Sequence, residues 1–97
     1  KGRTGLLILT KHRWKERTEE GLRHYLATVH GGRWTFSSIL DDEEEWTHHE
    51  PDEVEVLLIV REMLWRKYQR KRIPWKSIEQ IDKLIIKAGG TPPENPE

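Results

Sequence analysis

Ninety-seven residues are the length of one domain, so a single core is expected. Apolar residues are scarce at 34% and charged ones abundant at 35%, yet Leu, Ile, Val and Phe together number 23, enough to keep the chain out of the disordered class. Seventeen basic and seventeen acidic residues cancel, which excludes recruitment of a polyanion or membrane by net charge, and a sequence without cysteine excludes disulfides, cysteine zinc sites and thiol nucleophiles.

Residues 5–14 begin with the apolar run Leu6, Leu7, Ile8 and Leu9 and turn polar at Thr10, a pattern that suits a first strand leaving the core. That run and Val56 to Val60 are the longest apolar stretches, and both fall far short of the ~20 residues that cross a bilayer. The chain starts at Lys1 rather than Met, which reads as a piece of a larger protein, and its composition suits an intracellular setting, cytoplasmic or nuclear.

Residues 18–32 admit two readings. As a helix, Thr18 is the N-cap, Leu22, Tyr25, Leu26 and Val29 share a face, and Gly31 is the terminator. As a strand, Gly31 and Gly32 form a two-residue hairpin turn that pairs His30 with Arg33, Val29 with Trp34 and Ala27 with Phe36. Gly21 would cost the helix up to about 1 kcal/mol, and the hairpin gathers Tyr25, Ala27, Val29, Trp34 and Phe36 on one face, so the hairpin is favoured.

Residues 33–40 alternate Trp34, Phe36 and Leu40 with polar neighbours and predict a strand. Asp41 and Asp42 supply a turn, after which residues 43–49 are expected to return as a charged edge strand with Trp46 pointing inward. Pro51, Asp52 and Glu53 are the chemistry of a helix start. Val54, Leu57, Leu58, Arg61, Leu64, Trp65 and Tyr68 then recur at helical spacing, while Arg66 to Arg72 make a basic second half that should end before Pro74. Ser77 and Gln80 match a capping box opening a second helix over 78–88, with Gly89 as its stop and 89–97 as a flexible Pro/Gly-rich tail. The expected fold is therefore a single α+β domain over 1–88, in which a long central helix and a shorter C-terminal one pack a small antiparallel sheet of three or four strands.

Catalytic signatures are thin: the sequence has no glycine-rich phosphate loop, nucleophile elbow or HExxH. His48 and His49 beside Glu45, Glu50 and Asp52 are the best metal or proton-transfer candidates, but neighbours on a strand point to opposite faces, so they are poor partners for one ion. His12, His24 and His30 would make a zinc site only if strand register brought all three together. No catalytic residue, metal ligand or cofactor is assigned.

Charge segregation is the strongest feature. Residues 1–17 hold six basic residues against one acid, residues 61–76 hold seven against one, and residues 41–55 hold nine acids and no Lys or Arg. Aromatic rings interleave the basic stretches, the pattern with which single-stranded nucleic acids are held: cations for phosphates, rings for bases. The expectation is a non-enzymatic nucleic-acid-binding domain using Lys11, Arg13, Trp14, Lys15, Arg66, Lys67, Arg70, Lys71, Arg72 and Trp75, with Trp14 and Trp75 at the surface. The main alternative is a protein-interaction module that docks a basic partner, or a second copy of itself, through the acidic stretch and an exposed tryptophan. A small metal-dependent enzyme around His48 and His49 is the second.

Overall fold

Residues 9–94 are described by the computed structural model, and the chain divides after Glu50 into two compact units. The first is a four-stranded antiparallel sheet in the order β1-β2-β3-β4, with β1 at Leu9–Thr18, β2 at Gly21–His30, β3 at Arg33–Leu40 and β4 at Thr47–His49. The second holds two helices, α1 at Val54–Gln69 and α2 at Trp75–Lys87, and together they make the chain α+β.

The hairpin reading of residues 18–32 holds. Gly31 and Gly32 both take positive φ, 60° and 81°, the backbone a tight hairpin turn demands, and His30, Val29 and Ala27 face Arg33, Trp34 and Phe36. At the other end of β2, Thr18 pairs Gly21 across Glu19 and Glu20, and the Thr18 hydroxyl donates to the Gly21 carbonyl at 2.7 Å. β1 therefore runs four residues beyond the expected Trp14, because its partner is the whole length of β2. The apolar residues Leu6 to Ile8 lie outside the described residues, as do 95–97 of the tail.

Two-residue alternation gives the sheet a buried face and an open one. The buried face stacks His12 on Trp34 at 5.9 Å, Trp34 on Phe36 at 6.2 Å and Trp14 on Tyr25 at 5.2 Å. Such aromatic pairs add about 0.5–1.5 kcal/mol each beyond their buried area. Polar groups on this face are tied together: Arg23 donates to Ser38 Oγ at 2.8 Å, and Ser38 Oγ meets His49 Nε2 at 2.7 Å, linking β2, β3 and β4. Burial pushes the Tyr25 hydroxyl above its usual value, with nearby Arg23 opposing the shift and Glu16 adding to it.

In the helical unit, α1 buries Val56, Leu57, Val60, Met63 and Leu64, and α2 buries Ile78, Ile81 and Ile85. Arg61 sits in the apolar stripe because it is paired there: its guanidinium donates to both carboxylate oxygens of Asp82, at 2.9 and 3.4 Å, and lies 5.9 Å from the Trp65 ring.

The helix boundaries differ from expectation for local reasons. α1 starts at Val54, where the apolar stripe starts, with Pro51 and Asp52 in a preceding turn and the Glu53 carbonyl accepting from Leu57 N–H at 3.0 Å. It ends at Gln69, not at Ile73. Lys71 takes φ 61°, and the N–H groups of Lys71 and Arg72 return to the carbonyls of Tyr68 and Lys67, a Schellman closure. α2 starts at Trp75 behind Pro74, whose fixed φ and extended ψ make it the N-cap, so Ser77 lies inside the first turn instead of ahead of it. Gly89, at φ 93°, closes α2 as expected. A Cβ at Gly90 would meet a Val54 methyl carbon at 2.8 Å, which places the end of α2 against the start of α1 in an antiparallel helical hairpin.

Candidate nucleic-acid interface

The open face of the sheet is set by odd-numbered residues of β1. Lys11, Arg13, Lys15 and Arg17 are all exposed and alternate with buried or half-buried His12, Trp14 and Glu16. Side chains two apart on a strand recur about every 6.7 Å, so the four cations form a straight row. No ion pair engages any of them among the described residues.

Register places the rest of the face. Lys11, Arg13, Lys15 and Arg17 stand beside Thr28, Leu26, His24 and Leu22 of β2, and these stand beside Thr35, Ser37 and Ile39 of β3. Its polar side chains are mostly neutral hydrogen-bonding groups: Thr28 and Thr35 hydroxyls bond each other, and Ser37 Oγ meets His48 Nδ1 at 3.0 Å. His24 Nε2 meets Asp41 Oδ1 at 2.9 Å, where the acidic loop over residues 41–46 begins.

That loop carries Trp46 onto the open face. Trp46 is 40% exposed instead of buried, because β4 is only three residues long and begins after it. It lines a shallow cleft of about 260 Å³ with Arg13, Lys15 and His24, and with Trp14 and Tyr25, which pair across β1 and β2. A second cleft, about 620 Å³, joins it to Leu26, Ser37, Glu45 and His48.

Of the residues expected to bind, Lys11, Arg13 and Lys15 are brought together on this face. Trp14 lines the same cleft as Arg13 and Lys15, but by strand alternation its side chain belongs to the opposite face, where it is half-buried and stacked within 11° of parallel on Tyr25, its buried indole N–H without a hydrogen-bond partner among the described residues. Arg66, Lys67, Arg70, Lys71, Arg72 and Trp75 belong to the helical unit. Arg66 and Lys67 occupy the last turn of α1, whereas Arg70, Lys71 and Arg72 are exposed in the connection to α2 and not on a helix. Burial holds the Lys67 ammonium below the usual lysine value, and the Arg72 guanidinium adds to that shift. Trp75 is half-buried too, packed edge-on against Tyr68 at 5.1 Å and Trp65 at 6.4 Å, so its surface is only partly available.

The histidine readings resolve geometrically. His12 is buried on one face while His24 and His30 lie on the other, so the three cannot share an ion. His48 and His49 turn to opposite faces, toward Ser37 and Ser38. Among the described residues no three His, Asp or Glu side chains converge as metal ligands.

Two site residues escaped the sequence reading. Arg17 extends the row, and its i, i+2 spacing from Lys15 was the available signal once the strand is known to run to Thr18. Trp46 had none, because alternation alone does not say that a strand begins one residue later. Comparison with protein-family models, curated proteins and solved structures returns no match.

Proposed function

We propose that this protein is a non-enzymatic nucleic-acid-binding protein whose primary contact is the open face of its sheet, with Lys11, Arg13, Lys15 and Arg17 holding backbone phosphates. The supporting observation is the row itself: four exposed cations on one strand face, none drawn into an ion pair among the described residues, in a chain with seventeen carboxylates. A charged edge strand also discourages sheet-to-sheet pairing, but one or two lysines serve that purpose and four in register exceed it. Arg70, Lys71 and Arg72 in the helical connection form a second cationic cluster that adds phosphate contacts.

Fluorescence anisotropy with a labelled oligonucleotide, run across a salt series, tests this. Affinity should fall steeply with salt, and the slope of log K against log salt should shrink by about one for each phosphate contact removed. Replacing Lys11, Arg13, Lys15 and Arg17 by alanine should flatten the slope more than replacing Arg70, Lys71 and Arg72. Binding independent of salt, or a slope indifferent to the β1 row, rejects the assignment.

The exposed Trp46 among Glu43, Glu44 and Glu45 favours a second reading, docking of a basic protein partner. The two readings predict opposite signs for the Glu43→Gln, Glu44→Gln, Glu45→Gln variant: oligonucleotide binding tightens as repulsion is removed, whereas a basic partner is lost.

A further inference from the structure

Resting on the phosphate-binding reading, we infer that the ligand is a single strand and that one of its unpaired bases seats against Trp46 on the side of Arg13 and Lys15. Trp46 lies beside the cationic row, and the cleft between them is lined by Arg13, Lys15 and His24, with Trp14 and Tyr25. A strand whose phosphates follow β1 presents a base to that cleft one side-chain length away. In a duplex the bases are stacked and paired inside the helix, so Trp46 has nothing to hold; an unpaired base offers its π-face. Stacking of this kind tolerates any sequence, since every base has such a face.

The second cleft at Trp46 is unsuitable. Glu45 lines the cleft there with Leu26, Ser37 and His48, and a carboxylate repels the phosphates that flank a base. Charge thus chooses one of the two clefts that Trp46 lines. The choice fixes the polarity of the site: phosphates over β1, base toward β3, acidic loop beyond.

The test pairs two labelled probes, a dT oligonucleotide and a blunt-ended two-strand duplex of equal phosphate count, with the whole chain and its Trp46→Ala and Trp46→Phe variants. Trp46→Ala should weaken dT binding about tenfold or more, as loss of a base–aromatic stack does. Trp46→Phe should retain most of it, and duplex binding should be unchanged in both. Subtracting the Trp46→Phe emission from that of the parent isolates Trp46, whose fluorescence should be quenched by dT and not by the duplex. Equal affinity of the parent for both probes, or a Trp46→Ala variant that binds dT undiminished with its circular dichroism intact, overturns the inference while leaving the phosphate row standing. Loss of salt dependence for both probes would instead remove the reading beneath it. Binding of an oligo-lysine peptide that requires Glu45, in place of dT, overturns both.

Discussion

At the scale of single residues, the most legible strain is at Lys71, which closes α1 in the left-handed conformation that a side chain disfavours by about 1–2 kcal/mol. Lys71→Gly should therefore raise the stability of the helical unit by about 0.5–1 kcal/mol, the gain being reduced by the extra freedom of glycine in the unfolded chain. A urea titration of the variant against the parent reads it directly, and the same substitution removes one charge from the second cationic cluster. Tyr25 makes a pH-dependent prediction of definite sign. Its folded pKa is raised, so its contribution is fully present below the unfolded value of about 10 and is lost as pH rises above it. Lys67 works the other way in the same range: its lowered value means that deprotonation relieves a partly desolvated charge. Tyr25→Phe should leave the urea midpoint at pH 8 nearly unchanged while reducing the fall between pH 8 and 10.5; an equal fall in both proteins would assign the alkaline loss elsewhere.

At the scale of elements, the Arg61–Asp82 pair decides how α1 and α2 meet. Arg61 is 4% exposed, and Asp82→Ala would remove the carboxylate that its buried guanidinium grips with two hydrogen bonds, at about 3 kcal/mol of lost stability. Replacing both partners, Arg61→Met with Asp82→Leu, should recover most of that loss, and a double-mutant cycle in urea measures the coupling. The pair also shows what a sequence hides. Arg61 fell on the apolar stripe by spacing, but only the structure supplies the acid that permits burial there, on a helix twenty-one residues away. By contrast, the β2–β3 register was readable because two glycines and five alternating core side chains all required the same pairing. Element ends were read less well: Lys71 stops α1 with no glycine or proline at that position, and Pro74 replaces a side-chain cap at α2. The candidate site divided in the same way. Alternation exposes Lys11, Arg13 and Lys15 on one face and turns Trp14 to the other, whereas Trp46 reaches that face through a loop whose path follows no period.

At the scale of the whole molecule, equal numbers of acids and bases leave no net repulsion between copies near neutral pH, while the segregation along the chain leaves each copy with complementary surfaces. The nine acids of residues 41–55 include the exposed Glu43, Glu44 and Glu45, and the cations of β1 are exposed as well. At low ionic strength such a protein should associate with itself, acidic loop to cationic strand, and the contact should dissolve as the Debye length shrinks from about 30 Å at 0.01 M salt to about 8 Å at 0.15 M. Light scattering coupled to size exclusion should show a larger average mass at the lower salt, and the Glu43→Gln, Glu44→Gln, Glu45→Gln variant should stay monomeric at both. A polyanion competes for the same cations. An oligonucleotide added at low salt should therefore return the parent protein to one chain per complex, linking self-association and ligand binding through Lys11, Arg13, Lys15 and Arg17. Self-association that persists in the β1 alanine variant would place the contact on other surfaces and break that link.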